Sequence, residues 1–259
     1  MYKLRNRIIT LILITLITVS CNRLSKKDLS LTIKEYEMMG MPDHTKLWSS
    51  QAYSKAFTIL SKVKLNNPLS FPRKNSKKSG AVFSCFVNKE NLSFVNDSAI
   101  SLKDRAFEIQ SFSNVQNTLI RKYTDDFRPE QYYDRELIDA YIFGLYVQDK
   151  MLELAFEILN SKDEQLINMK AGFKMVLNGY VQMICFVLGE QVKSNIYSDT
   201  DLDSLSTEVS RSIIKNIEWI MPVDRQKIGV QIRNTIEKAP SGYVKNNYRE
   251  TLKALNNSY

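Results

Sequence analysis

The segment that decides the fold of this chain runs from Ala171 to Gln191 and reads AGFKMVLNGYVQMICFVLGEQ. Its apolar residues would cover nearly the whole circumference of a helix: Met175, Val176, Leu177, Tyr180, Val181, Met183, Ile184, Cys185, Phe186, Val187 and Leu188. A helix that is apolar on every side is normally buried on every side. Lys174, Asn178 and Gln182 interrupt the run at spacings of four, which argues against a membrane span of about twenty apolar residues. We therefore expect 171–191 to be the buried central helix.

The segments on either side of 171–191 show the 3.6-residue apolar period of amphipathic helices. The longest stripes run from Leu102 to Tyr123, from Ile138 to Leu159 and from Leu202 to Ile220. Only eight glycines and six prolines interrupt 259 residues, which favours long helices over a turn-rich β fold. The sequence predicts an all-α protein, an irregular bundle of about seven to nine helices around 171–191.

The stretch from Ala81 to Val95 allows two structures. Its β-branched and aromatic residues suit a hairpin that turns at 88–91. Short apolar runs do not distinguish helix from strand by period alone. A helix from about Ser79 to Asn88 is favoured because the segments after it are helical.

Polar residues break two apolar stripes and could mark a ligand pocket. Gln148 and Asp149 interrupt the stripe that ends at Leu159. Either a turn divides two helices there, which is the favoured alternative, or both side chains face a cavity. Asn178 and Gln182 interrupt the central helix in the same way. If a small-molecule or glycan pocket lies between helices, these four residues are its expected lining.

Residues suited to catalysis or metal binding are sparse. His44 is the only histidine, so neither a zinc site with several nitrogen ligands nor a Ser-His-Asp triad is expected. The aspartates from Asp199 to Asp203 alternate as in a calcium loop, but Ser204 and Ser210 stand where glycine and glutamate are required. The sequence predicts no cofactor, no metal site and no enzymatic activity.

The positive charge is spread along the chain. The formal net charge is +8, and three of the cations (Lys3, Arg5 and Arg7) precede residue 20, so the remaining chain is near +5. Nucleic-acid binding needs a concentrated basic face, so no nucleic-acid partner is expected. The loop from Leu69 to Gly80 holds four cations that could bind an anion or a lipid headgroup, although a solvated loop is favoured.

The N-terminus is organised as an export signal. Three cations precede an apolar run of twelve residues from Ile8 to Val19, which is too short for an ordinary span and typical of a signal peptide. The run ends in Thr18-Val19-Ser20-Cys21. These four residues resemble the lipobox of bacterial lipoproteins, in which a small residue precedes an acylated cysteine.

The resemblance at the N-terminus and the helical pattern of the rest together divide the chain into three expected parts. Residues 1–20 would be a cleaved signal peptide, and 21–30 a tether that begins at Cys21, which would carry acyl chains such as palmitate. Residues 31–259 would form a single all-helical domain. More than one acyl chain gives stable membrane attachment. Asn22 in place of aspartate implies, by the same resemblance, an outer-membrane or periplasmic location.

Two cysteines remain once Cys21 is assigned to the anchor. Cys85 and Cys185 both lie in apolar runs, where free cysteine behaves as a small buried hydrophobe. Free thiols are therefore favoured over a Cys85–Cys185 bridge, although export permits disulfides.

These observations predict a lipid-anchored envelope protein without enzymatic activity, which binds or scaffolds an envelope partner. The alternative is an envelope receptor for a small molecule or glycan, with its pocket between helices.

Overall fold

The computed structural model describes residues 28–66, 69–124, 132–192, 196–239 and 242–257. The signal peptide, the lipobox-like residues and Cys21 lie outside these ranges. In the described ranges the chain forms ten α-helices and no strand: α1 (Ile33–Met38), α2 (Ser50–Asn66), α3 (Gly80–Phe86), α4 (Leu102–Thr124), α5 (Asp134–Asn160), α6 (Ile167–Lys170), α7 (Phe173–Glu190), α8 (Asp199–Lys215), α9 (Pro222–Lys238) and α10 (Gly242–Asn257). Two 3-10 helices, Lys89–Asn96 and Glu164–Leu166, join them.

The predicted fold class is confirmed. Seven of the described helices have 16 residues or more, in agreement with the expected seven to nine. The other three (α1, α3 and α6) are short connecting helices of four to seven residues.

Local sequence sets several helix ends. Thr32 caps α1 by accepting from the Glu35 amide, while the Glu35 carboxylate accepts from the Thr32 amide. The Ser198 side chain accepts from the Asp201 amide and caps α8. Pro222 occupies the first turn of α9, where its missing N–H breaks no helical bond.

The helix at the centre of the bundle is α5. Fourteen of its residues are buried, and α4, α7 and α8 all pack against it. The neighbouring α7 runs antiparallel to it, because Tyr141 contacts Phe186 while Gln148, two turns further along α5, lies beside Gly179.

The prediction for 171–191 needs a correction. The helix α7 does belong to the core, with eight buried residues. It is not buried on every side, because Met175 is 76% exposed and Phe186 is 46% exposed. The central place belongs to α5, so α7 keeps one apolar face in the core and another at the surface.

The favoured helix in the ambiguous stretch from Ala81 to Val95 is confirmed, and the chain forms no hairpin there. It forms α3 and then the 3-10 helix Lys89–Asn96. Asn91 stabilises this turn, since its Nδ2 donates to Tyr53 Oη at 2.8 Å and to the Cys85 carbonyl at 2.9 Å. Its Oδ1 accepts from the Trp48 amide at 2.8 Å. A buried side chain that bonds three backbone or side-chain groups holds the irregular path.

Both described cysteines are free thiols, which agrees with the favoured alternative. Cys85 is buried, and its Sγ donates to the His44 carbonyl at 3.2 Å. Burial raises the pKa of the Cys85 thiol to about 11, so the thiolate is scarce at neutral pH. Cys185 is partly buried, and burial raises its pKa as well.

A close approach between helices occurs at Gly144 of α5. A Cβ built there would lie 2.7 Å from Gln116 Cγ on α4 and 2.7 Å from Met183 Cε on α7. Gln116 Nε2 also donates to Met183 Sδ at 3.4 Å. Because the interior is close-packed, these side chains have little room to retreat. Glycine therefore lets three helices meet at one level.

Replacing Gly144 by alanine is expected to lower the free energy of unfolding by about 1–3 kcal/mol, because overpacking outweighs the gain in helix propensity. Gly189 is the matched control, since it is helical and a Cβ built there meets no atom within 4 Å. Gly189→Ala should raise stability by about 0.5–1 kcal/mol. Urea denaturation measures both variants. A Gly144→Ala protein as stable as Gly189→Ala would contradict the close approach.

Candidate functional site

The four residues expected to line a pocket separate into a buried pair and an exposed pair. Gln148 and Asp149 lie within the continuous helix α5, so the favoured turn at this point is wrong. Both side chains are buried. Asn178 and Gln182 are exposed on α7. The structure thus places the first pair inside helix packing and the second pair in contact with solvent.

Asp149 is the centre of a buried hydrogen-bond network. Its Oδ1 accepts from Ser212 Oγ at 2.5 Å and from Asn216 Nδ2 at 2.8 Å, and its Oδ2 accepts from Arg211 Nη2 at 3.0 Å. Tyr180 Oη on α7 lies 3.1 Å from Ser212 Oγ. A buried carboxylate is costly unless it is paired and hydrogen-bonded, and here it has three donors. The polar break in the α5 stripe is therefore a structural junction between α5, α7 and α8.

The network continues outward along the α5–α8 interface. Arg211 Nε donates to Glu208 Oε2 at 2.7 Å, and Lys89 Nζ lies 3.5 Å from Glu208 Oε1. One turn beyond Asp149, Glu153 pairs with Lys215, so α5 and α8 run parallel. Charges of both signs alternate along this face, and the described residues contain no group of three or more His, Cys, Asp or Glu that could hold a metal.

The loop from Leu69 to Gly80 uses two of its four cations to hold the start of α5. The Lys74 amide donates to Glu136 Oε1 at 2.6 Å, and Lys74 Nζ donates to Asp139 Oδ1 at 2.8 Å. Arg73 Nε lies 3.9 Å from Glu136 Oε1. Burial raises the pKa of both carboxyl groups, against the effect of the nearby cations. The loop is therefore fastened to α5 on one side, while its other two lysines are exposed.

A groove of about 280 Å³ lies between α2 and α4. Its lining consists of uncharged polar side chains over an apolar floor: Ser50, Gln51, Ser54, Ser111, Asn114 and Thr118, with Phe57 and Val115. Hydroxyl and amide groups around an aromatic ring can bind a neutral polar ligand through hydrogen bonds and ring contacts. None of the four residues expected at a pocket lines this groove.

One end of the bundle has an apolar surface, which we call the apolar end. Here α5 ends and α7 begins, because the two helices are antiparallel. The connection between α8 and α9 also lies here, since the Trp219 ring stacks on the Phe156 ring with centroids 5.0 Å apart. The exposed large apolar residues in the helix ends and connections that meet here are Phe156, Leu159, Ile167, Met175, Ile214 and Met221. Six others lie elsewhere on the described surface: Met38, Leu47, Phe107, Phe186, Val223 and Val230. Exposed apolar residues that gather on one surface are typical of interaction sites, whereas scattered ones are ordinary.

The sequence did not reveal the apolar end. Its periodicity assigned Phe156 and Leu159 to a core stripe, and Met175 to a helix buried all round. Period alone shows which residues share a helix face. Which of those faces another helix covers depends on the tertiary packing.

No single described helix is long and apolar enough to cross a membrane. The segments Glu164–Lys170 and Phe173–Glu190 reach that length and composition only as a pair, bent by 43°.

Comparison of the chain with family models, curated proteins and solved structures finds no match.

Asp149→Asn is expected to lower the free energy of unfolding by about 1–3 kcal/mol, because the amide turns an NH₂ group towards one of three donors and removes the charge they bind. Asp163→Asn is the control. Asp163 is exposed, and its Oδ1 accepts from the Gln165 amide at 2.9 Å, a cap that asparagine provides equally well. Thermal unfolding compares the two variants. An Asp149→Asn protein with wild-type stability would show that the junction contributes nothing.

Proposed function

We propose that this chain is a lipid-anchored protein of the bacterial cell envelope that acts by binding a partner and not by catalysis. The lipobox-like residues that end at Cys21 support the anchor. The observation that supports the binding role is the apolar end, because exposed apolar surface of this kind is typical of interaction sites. Two of the expected pocket residues, Gln148 and Asp149, lie inside the helix packing, which leaves that pair little access to a ligand.

The mass of the mature N-terminal peptide tests the anchor. We expect a peptide that begins at Cys21 and carries acyl chains, with the protein in the membrane fraction after a high-salt wash. Cys21→Ala should abolish the acylated peptide, because its thiol is the attachment point. Cys185→Ala, which removes a different free thiol, should leave it unchanged. An unmodified N-terminus at another residue in the wild type would refute the anchor.

A second candidate function is glycan binding in the groove between α2 and α4, supported by its uncharged polar lining. Titration with N-acetylglucosamine oligomers, followed by calorimetry, tests it. Thr118→Val keeps the side-chain shape and removes one hydroxyl of the lining, so it should weaken a saturable binding signal. Thr45→Val is the control, since that exposed hydroxyl lies outside the groove. Absence of saturable binding in the wild type rejects this candidate.

A further inference from the structure

The exposed side of α7 forms one continuous strip, which we call the α7 strip. Its members follow one another at steps of three or four residues: Ala171, Met175, Asn178, Gln182, Phe186 and Gly189. Residues at these steps are neighbours on one face of a helix, with Cβ atoms about 5–6 Å apart. Ala171 lies two residues before α7, and both it and Gly172 have helical backbone dihedrals (φ −61° and −72°). The strip is therefore a single surface, roughly 27 Å long at 1.5 Å per residue.

The α7 strip is exposed but contains no charged residue. All six members are exposed, Met175 by 76% and Phe186 by 46%. Within α7, whose residues are all described, Lys174 is the only exposed charged side chain. The neighbouring helix α9, by contrast, exposes Lys227, Arg233, Glu237 and Lys238. Depletion of charge, with methionine and aromatic residues enriched, distinguishes the centre of a protein–protein interface from ordinary surface.

The two amides in the middle of the strip disfavour a lipid surface as its cover. Asn178 and Gln182 each carry an NH₂ donor and an oxygen acceptor. Hydrocarbon offers these groups no hydrogen bond, so their burial in a bilayer is costly. A facing helix with amides at the same level offers both donors and acceptors, and such a polar pair also fixes the register of the two helices.

The strip matches a second copy of itself. Read from either end, the order of side-chain types is the same: small, large apolar, amide, amide, large apolar, small. A two-fold axis at the level of Tyr180 therefore places Asn178 of one copy opposite Gln182 of the other. The contact forms twice, as every contact does in an isologous interface.

The same two-fold axis also pairs the outer members of the strip. Ala171 faces Gly189 of the second copy, and Met175 lies at the level of Cys185, next to Phe186. A Cβ built at Gly189 meets no atom of its own chain within 4 Å, so the space beside it is open. Small residues at both ends let the two helices pack at the short end of the usual 8–10 Å between axes.

We propose that α7 packs antiparallel on α7 of a second copy of this chain, about a two-fold axis at the level of Tyr180. The proposal goes beyond the function proposed above and does not depend on the lipid anchor. It gives the chain a partner of its own kind and a fixed register for the contact.

Disulfide trapping in cells tests the register. Two differently tagged full-length chains are co-expressed, one with Asn178→Cys and the other with Gln182→Cys, both with Cys185→Ala to remove the native thiol beside the strip. Oxidation with diamide should give a covalent dimer that carries both tags. Either variant alone should cross-link several-fold less, because two copies of one position lie about 6 Å apart along the axis, which brings their Cα separation beyond the roughly 7 Å that a disulfide spans.

The matched control places the same two cysteines on another helix. Gln110 and Asn114 are also exposed amides four residues apart, but they belong to α4. Chains with Gln110→Cys and Asn114→Cys should give no dimer. Equal cross-linking of this control indicates random collision and overturns the proposal. A mixed α7 pair that does not cross-link, or single α7 variants that cross-link as well as the mixed pair, would overturn it too.

A charge pair placed in trans tests the outer contact. Met175→Glu in the chain with Asn178→Cys should lower the cross-link yield several-fold, because it places an unpaired charge in the interface. Phe186→Lys in the other chain should restore the yield, since the lysine faces the new carboxylate. Positions 175 and 186 of one chain are about 16 Å apart along the helix, so the two substitutions cannot pair within a chain. Failure of the lysine to restore the cross-link would contradict the antiparallel register.

Discussion

The bundle depends on the close approach at Gly144, where Gln116 of α4 and Met183 of α7 leave no room for a Cβ on the α5 backbone. Dispersion attraction decays steeply with distance, so a gap of even about 1 Å forfeits much of the contact along neighbouring turns. Asp149 lies five residues further along α5, roughly 7–8 Å away. The helix positions set at Gly144 thus bring Tyr180 of α7 to the level at which it reaches the Asp149 network.

The Asp149 network contributes more to the alignment of helices than to net stability. Replacing buried ion pairs by apolar residues is often neutral for stability, whereas leaving one charge without partners is strongly destabilising. A one-residue slide of α8 along α5 would separate Asp149 from Ser212 and Asn216 together, and would also displace Arg211. The network therefore destabilises every other register between the parallel helices α5 and α8. Apolar contacts alone would allow several registers.

The sequence was informative about helices and less so about what surrounds each one. Apolar period located the long helices, because a helix must place its apolar residues on the side it buries. It favoured a turn at Gln148 and Asp149, but the helix continues there. In the sequence, a buried carboxylate looks the same as the polar residues of a helix break, because its hydrogen-bond donors on α8 are not yet known. It ranked 171–191 above α5 because the former is more apolar, yet Met175 of that segment is exposed. The apolar end and the groove between α2 and α4 were not predictable, since both are formed by residues from separate helices.

The position of α5 in the middle of the chain has a consequence for how the protein matures. Tyr53 of α2 packs against Phe112 of α4 and Phe143 of α5, which follow it by 59 and 90 residues. At synthesis rates of about 5–20 residues per second, Tyr53 emerges on the order of 5–20 s before Phe143. Such non-local pairings also slow folding once the chain is complete. The nascent chain therefore exposes Tyr53 to solvent for seconds, until the α5 residues that cover it have emerged.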